Sequence, residues 1–404
     1  MVLRELYLKR IRPFYHSEFV KILTGVRRCG KSTLLRQISE ELIASGISSD
    51  KIIDINFENY AYNSLRNPDA FYRHVEDRIE DATGKTYLLF DEVQFVDGFE
   101  RVVNSFRATH DVSMFLTGSN SKLLSGDLAS ELGGRTLSFR IMPFTFGEFC
   151  DFRGVQGAAR ASLFDEYLRW GGFPLVCAER DEASKAVVLD NLYDSIVLKD
   201  VILRNKIASP HTLETVLNFV VSQSGSTLSG RTIAASLSDQ NRKVSAPTVY
   251  DYLRAIESAC IVGKATRYDV RGKKVLAFEE KLYVCDLGLF QQRKSPVAED
   301  IGHALETLVF NELVARGFKV FVGKIDAMEI DFMISGPEGK AYVQVAYMLA
   351  SEKTREREFG SLEAVRDNYP KYVVTLDPVT RNRNGIIHLG LIDFLLDEGL
   401  LVLG

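Results

Sequence analysis

Apolar residues in the first third of the chain are concentrated in short segments. Five such runs lie near residues 19–24, 52–56, 86–90, 112–117 and 136–141, and helical patterns separate them. A short, mainly apolar run is typical of a strand in the interior of a domain. This alternation predicts an α/β domain in which a five-stranded parallel sheet is flanked by helices.

The first run ends in the sequence GVRRCGKST, residues 25–33, which has every fixed position of the pattern GxxxxGK[ST]. Glycines let such a loop curl, so that consecutive N–H groups and the following helix N-terminus face phosphates. Lys31 is expected to reach the β- and γ-phosphates, and the Ser32 hydroxyl to ligate Mg²⁺. The predicted nucleotide-binding residues in this loop are Gly25, Arg28, Cys29, Gly30, Lys31, Ser32 and Thr33.

Polar residues follow two further runs, at the sheet edge where ligands bind. Asp91 and Glu92 end the third run, and we expect Asp91 to hold Mg²⁺ and Glu92 to orient or deprotonate the attacking water. Ser119 or Asn120, after the fourth run, is a candidate γ-phosphate sensor, with a simple turn as the alternative. The predicted cofactors are therefore ATP and Mg²⁺.

Arg135 precedes the fifth run, one element past the sensor strand. Oligomeric ATPases present an arginine from this position to the neighbouring subunit, where it stabilises charge on the transferring phosphoryl group. This interpretation makes Arg135 catalytic and implies a homo-oligomer, whereas the alternative is a surface charge.

Several motifs in this order resemble one family, the AAA-type ATPases of archaea and bacteria that carry a C-terminal domain of unknown function and are related to STAND signalling NTPases. Besides the P-loop, the motifs are LLFDEVQ at 88–94, TGSN at 117–120, GGRT at 133–136 and PFTFGEF at 143–149. The resemblance continues through WGGFP at 170–174 into the C-terminal third and so covers nearly the whole chain, and residues 172–174 are similar to the GxP motif of that superfamily. It implies that Pro174 lies near the adenine, and a glycine-proline turn is the alternative.

A helix-turn-helix followed by a hairpin is predicted after a helical stretch near residues 160–222. The first helix covers 226–237, the second is capped by Ser245, and the hairpin turns at 271–274, as in a winged helix. Nine basic and four acidic residues lie between 226 and 278, a charge balance that favours DNA binding over interdomain packing alone. The predicted DNA-binding residues are Arg231, Arg242, Lys243, Thr248, Tyr250, Arg254, Arg271, Lys273 and Lys274.

In the C-terminal part, a predicted helix carries Glu306, and predicted strands follow at 319–322, 329–333, with Asp331, and 342–346. This order resembles the restriction-endonuclease-like fold, in which a helix carboxylate, a strand aspartate and an E-x-K triplet gather metal and water. Glu306 and Asp331 fit the first two places, but the triplet reads Gln344-Val345-Ala346. A neutral amide is a poor Mg²⁺ ligand, and no ammonium remains in the triplet to stabilise developing charge. We therefore expect a vestigial nuclease site at Glu306, Asp331 and Gln344 that serves as a scaffold, unless Lys340 or Lys353 substitutes for the missing lysine.

Composition excludes several classes of protein. The net charge of −4 over 404 residues excludes a uniformly basic nucleic-acid coat, and 46% hydrophobic with 26% charged residues is ordinary for a globular chain. Five scattered cysteines without a CxxC pair argue against a zinc site or a disulfide framework. Without a membrane-length apolar run or an apolar leader, the expected location is the cytoplasm.

We predict four domains: an ATPase core at 1–155, a helical lid or linker at 156–222, a winged helix at 223–290 and a nuclease-like α/β domain at 291–404. The expected function is that of an oligomeric AAA-type ATPase that hydrolyses ATP and remodels or translocates DNA. The alternative is a slow, STAND-like nucleotide switch that recruits a protein partner.

Overall fold

The chain forms two structural units, which the computed structural model describes over most of their length. The described residues are 2–80, 84–119, 132–239, 244–293 and 301–404. The first unit runs up to residue 141 and includes Ser258–Cys260, and the second comprises 142–257 and 261–404. Within the described ranges, none of the helices has both the length and the apolar character that crossing a membrane requires.

A parallel sheet of five strands, in the order β2-β3-β4-β1-β5, forms the centre of the first unit. The three central strands are buried at every position, whereas the two edge strands are partly exposed. The predicted five-stranded parallel sheet is thus confirmed. The strands are β1 (Val20–Thr24), β2 (Ile52–Asn56), β3 (Thr86–Asp91), β4 (Val112–Gly118) and β5 (Thr136–Arg140).

Aromatic residues fill the core between this sheet and its helices. Phe71 packs edge-on against Phe57 and Phe90, with ring centroids 5.1 and 4.9 Å apart. Such edge-to-face pairs add to the stabilisation from burying the rings. The helices of this unit are α1 (Glu5–Ile11), α2 (Lys31–Ala44), α3 (Pro68–Glu80) and α4 (Phe99–Thr109).

The second unit begins with a series of helices. A capping box starts the first of them: Thr145 Oγ1 accepts from the Glu148 N–H, and Glu148 Oε2 accepts from the Thr145 N–H. This arrangement satisfies two helix N–H donors and explains the threonine and glutamate of the PFTFGEF motif. The helices are α5 (Phe146–Arg153), α6 (Phe164–Trp170), α7 (Pro174–Ala178), α8 (Glu182–Ser195), a π-helix (Ile196–Leu203) and α9 (Pro210–Ser222).

A strand, two helices and a hairpin follow. The predicted helix over 226–237 begins later, at Gly230, because Thr227 pairs with Lys281 in the hairpin instead. The predicted cap at Ser245 is confirmed, since its Oγ accepts from the Thr248 N–H at 3.2 Å. The elements are β6 (Thr227–Leu228), α10 (Gly230–Asp239), α11 (Ala246–Ser258), β7 (Val262–Asp269), β8 (Lys274–Val284) and α12 (Leu287–Arg293).

One sheet of eight strands joins this hairpin to the C-terminal strands, in the order β13-β12-β11-β10-β9-β7-β8-β6. Strand β7 pairs in parallel with β9, with Thr266 opposite Phe321. The sheet therefore runs across the predicted boundary at residue 290, and the two units divide after Ile141 rather than at 155. The remaining elements are α13 (Ile301–Ala315), β9 (Lys319–Ile325), β10 (Met328–Gly336), β11 (Gly339–Val345), α14 (Glu352–Glu363), β12 (Lys371–Thr375), β13 (Ile387–Gly390) and α15 (Leu391–Leu396).

Candidate nucleotide-binding site

The loop between β1 and α2 passes very close to the end of β5. A Cβ atom at Gly25 would lie 2.2 Å from the carbonyl oxygen of Ile141, so a side chain there forces the backbone to move. Gly30 has a φ of +103°, a conformation that L side chains rarely adopt. The Cys29 thiol donates to the same Ile141 carbonyl at 3.3 Å. These contacts explain why the two fixed positions of the motif are glycines.

Lys31 starts α2 with its side chain held inside the loop. The residue is only 3% exposed, and Nζ donates to the carbonyl oxygens of Gly25 and Val26 at 3.0 and 3.2 Å. Nζ also lies 3.7 Å from Glu92 Oε1. Burial by itself lowers the pKa of Lys31, but nearby negative groups outweigh it and leave the pKa raised, so the ammonium keeps its charge.

Asp91 ends β3 and accepts hydrogen bonds from three neighbouring elements. Its donors are the Ser32 hydroxyl of α2, the Thr117 hydroxyl of β4 and, at 2.9 Å, Asn56 Nδ2 of β2. Burial raises the pKa of Asp91 above its ordinary value, and the bonds from Thr117 and Ser32 oppose that shift. The structure thus brings Ser32 and Asp91 together, as predicted for a pair that holds Mg²⁺.

Glu92 follows β3 in a left-handed conformation, with a φ of +53°. Its N–H donates to Thr117 Oγ1 at 2.9 Å, and Gln94 Nε2 donates to its carboxylate. Thr117 therefore contacts both acids of the site. Asn56, Gln94 and Thr117 were not among the predicted residues, although Asn56 and Thr117 close strands at the edge where ligands bind, which could have pointed to them.

Ser119 and Arg135 lie at opposite ends of the parallel strands. Ser119 is buried and follows Gly118, which is opposite Thr24 at the P-loop edge, whereas Asn120 lies outside the described residues. Arg135 is exposed and precedes Thr136, which is opposite Val20 at the amino end of β1. Arg135 therefore does not join the cluster around Lys31 in its own chain.

The turn before Pro174 is fixed within the second unit. The Gly172 N–H donates to Asp286 Oδ2 at 2.7 Å, and a Cβ at Gly172 would lie 2.0 Å from the Phe144 carbonyl oxygen. Burial raises the pKa of Asp286 to about 6, despite the backbone N–H groups that favour its charged form. Pro174 occupies the first turn of α7, and its place near the adenine stays a prediction.

The basic residues predicted to bind DNA have different environments. Arg254 pairs with Asp251, and Arg271 pairs with Asp326 at 2.6 Å, so part of the local positive charge is neutralised. Three others, Arg231, Lys273 and Lys274, are exposed and form no ion pair within the part of the chain that the structure describes. Tyr250 is 42% exposed and Thr248 is half-buried, while Arg242 and Lys243 lie outside the described residues.

The three residues of the predicted vestigial nuclease site also come together. The Asp331 N–H donates to Gln344 Oε1 at 3.2 Å, and Glu306 lines the same cavity. The triplet itself supplies no ammonium, but Lys281 of β8, which was not among the predicted residues, reaches Glu306 Oε1 at 2.8 Å. Lys340 instead donates to the Tyr268 hydroxyl at 3.1 Å. Among the described residues, no three His, Cys, Asp or Glu side chains form a metal-binding group.

Comparison with known proteins places the chain among AAA-domain proteins. A family model described as an AAA domain matches residues 17–150, and a domain of unknown function matches residues 161–295. An uncharacterized protein of Haemophilus influenzae is 36% identical over 377 residues, which is 93% of each chain. The chain belongs to this family of AAA-domain proteins. The family also extends to archaea, since an uncharacterized protein of Methanocaldococcus jannaschii is 31% identical over 91% of this chain and 83% of its own.

A solved structure supports the fold of the family. The Walker-type ATPase of Pyrococcus abyssi aligns with a TM-score of 0.51 and 15% identity, covering 72% of this chain and 96% of its own. Family membership confirms the AAA-type resemblance and supports nucleotide binding and hydrolysis. The winged helix and the nuclease-like domain stay predictions.

Proposed function

We propose that this protein is a Mg²⁺-dependent ATPase whose turnover is coupled to DNA. One observation carries the ATPase part: Lys31, Ser32, Asp91 and Glu92 converge from α2 and β3. The Lys31 ammonium binds the β- and γ-phosphates, and the Glu92 carboxylate orients the attacking water and accepts its proton. Thr117 holds both acids in place through its hydroxyl group.

The side chains fit a magnesium ion. Mg²⁺ prefers oxygen ligands and is held by one or two protein groups together with substrate phosphates. The Ser32 hydroxyl and the Asp91 carboxylate are such groups, and they already lie within hydrogen-bonding distance of each other. When bound, Mg²⁺ neutralises negative charge on the phosphates.

Steady-state ATP hydrolysis tests this proposal, with Lys31→Ala as the blank. Glu92→Gln keeps the size of the side chain but removes the base, so hydrolysis should fall by about 10²- to 10⁴-fold while a fluorescent ATP analogue still binds. Glu18→Gln, a change at an exposed acid outside the site, is the matched control. Undiminished hydrolysis in Glu92→Gln would contradict the proposed role.

For Arg135 we propose a role in the site of a neighbouring subunit within a homo-oligomer. Two observations support it: the side chain is exposed, and it lies at the sheet edge away from the P-loop of its own chain. From there it reaches a nucleotide only in another copy, where its charge stabilises the transferring phosphoryl group.

The DNA-binding part of the proposal concerns the predicted winged helix at residues 223–290. A strand, two helices and a hairpin follow each other there, and the pairing of β6 with β8 supports this proposal. Arg231, Lys273 and Lys274 supply exposed positive charge for phosphate contacts. The double change Lys273→Glu and Lys274→Glu should therefore weaken DNA binding and reduce the salt slope. Unchanged affinity and slope would refute a role for this turn.

Coupling is measured as ATP hydrolysis with and without single-stranded, duplex and branched DNA. A tenfold stimulation corresponds to about 1.4 kcal/mol of transition-state stabilisation and would support a DNA-dependent ATPase. The form of DNA that stimulates ATP hydrolysis most would then identify the substrate.

A nucleotide switch that recruits a protein is the second candidate, favoured by the ion pairs of the hairpin region. Arg254, Lys264, Arg267 and Arg271 are each paired with a carboxylate of the same chain. Positive charge that is already neutralised contributes little to phosphate binding. Slow turnover that no DNA changes would favour this candidate.

A further inference from the structure

A buried lysine contacts two of the carboxylates that line an acidic cavity in the C-terminal part of the chain. Lys281 of β8 is 6% exposed, and its ammonium contacts Glu306 Oε1 of α13 at 2.8 Å and Glu329 Oε1 of β10 at 2.7 Å. The Tyr283 hydroxyl also donates to Glu306 Oε1, at 2.6 Å. One ammonium thus joins carboxylates from two different elements.

Further contacts link other polar groups around this cluster. Arg267 Nη2 lies 2.9 Å from Glu329 Oε2, and Asp331 Oδ2 accepts from the Val345 N–H at 2.8 Å. Gln344 Nε2 donates to Glu358 Oε2 at 2.9 Å. The cavity beside the cluster has a volume of about 680 Å³, and its polar lining includes Glu306, Glu329, Asp331, Gln344, Glu358 and Ser361.

Charges in the cluster almost balance without any added ion. Five carboxylates line the cavity, those of Glu306, Glu329, Asp331, Glu356 and Glu358, and four cations of the same chain pair with them. The cations are Lys281, Arg267, Arg383 and Arg357, the last with its guanidinium 2.5 Å from Glu358 Oε1. Buried carboxylates require either a metal ion or a charged side chain, because an unpaired buried charge is very costly.

We propose that Lys281 is the resident cation of this site and takes the place that a divalent metal ion would otherwise occupy. Its ammonium contacts Oε1 of Glu306 and Oε1 of Glu329. Gln344 supplies a neutral amide where a divalent metal ion would need a third charged ligand. Cations of the protein itself therefore neutralise most of the acids of this cavity. Removing the ammonium while keeping the acids should create a metal site.

Metal binding to nucleotide-free, full-length protein tests this inference, with Mn²⁺ as the probe. All variants also carry Asp91→Asn, so that the P-loop site does not contribute. With Lys281 present, we expect no bound Mn²⁺ by electron paramagnetic resonance at millimolar metal and no rise in Tm. Lys281→Met should have a lower Tm without metal, bind one Mn²⁺, and recover roughly 4 °C or more when Mn²⁺ is added. Lys319→Met, the loss of an exposed lysine on β9, is the matched control and should gain no metal.

Two results would overturn the inference. One is Mn²⁺ binding by the Lys281-containing protein that disappears in Asp331→Asn, because the ammonium would then not replace the metal. The other is a folded Lys281→Met variant that gains no Mn²⁺ site. If Lys281→Met does not fold, Lys281→Arg decides the matter: it keeps a cation and should fold without binding Mn²⁺, and Mn²⁺ binding by this variant would refute the inference.

Discussion

Thr117 is the residue through which β4 positions both acids of the nucleotide site. Its hydroxyl accepts from the Glu92 N–H at 2.9 Å and donates to the Asp91 carboxylate. Valine has nearly the same shape but no hydroxyl, so Thr117→Val removes both hydrogen bonds without opening a cavity. The change isolates the polar contribution of one buried side chain.

The expected loss of stability follows from these two bonds. A hydrogen bond to a charged group contributes about 1.5–3 kcal/mol, and a buried N–H left without a partner costs about 1–3 kcal/mol. Because Asn56 and Ser32 still donate to Asp91, we expect a total loss of about 2–4 kcal/mol. The Glu92 backbone also loses its anchor, so ATP hydrolysis should fall by about 10- to 100-fold.

Urea unfolding and steady-state ATP hydrolysis measure the two effects. Thr117→Ser keeps the hydroxyl and loses one methyl group, so it should retain most of the activity at a cost of about 1 kcal/mol. Thr86→Val is the matched control, because the buried Thr86 hydroxyl in β3 has no hydrogen-bond partner among the described residues. If Thr117→Val is as stable and as active as Thr86→Val, the proposed anchoring of the two acids is wrong.

Three further predictions concern other parts of the structure. Arg135→Ala should abolish hydrolysis and leave nucleotide affinity nearly unchanged, as measured by titration with a fluorescent analogue; loss of both would indicate a structural role. Gly172→Ala should lower the free energy of unfolding by about 2 kcal/mol or more, because its Cβ would lie 2.0 Å from a carbonyl oxygen. Gly360→Ala in α14 meets open space and should raise the free energy of unfolding by about 1 kcal/mol, and thermal unfolding measures both changes. Burial lowers the pKa of Lys21 from 10.5 to about 7. Between these two pH values the unfolded chain therefore binds more protons than the folded chain, so the free energy of unfolding should rise with pH over this range. Lys21→Met should remove that slope, and a slope that persists in urea unfolding at several pH values would rule out Lys21 as its source.

Local sequence patterns predicted those parts of the molecule whose structure depends on residues that are close together in the sequence. Apolar runs predicted the strands of the first sheet, and the glycine-rich loop after β1 predicted where Lys31 and Ser32 lie. Thr117 was missed although it lies near the carboxyl end of β4, because its role depends on the register of β4 against β3, which places its hydroxyl beside Asp91. Lys281 was missed because 25 residues separate it from Glu306, and only the packing of the helix α13 against β8 brings the two side chains together.

The parallel pairing of β7 with β9 has a consequence for how this chain tolerates being cut. A break between residues 293 and 301 would separate two halves of one hydrogen-bonded sheet, leaving β7 and β9 as unpaired edges. Exposed edges of this kind are templates for pairing with other chains. Fragments divided at this point should therefore aggregate when they are made separately. Co-expression of the two fragments should restore solubility, because β7 and β9 can then pair with each other.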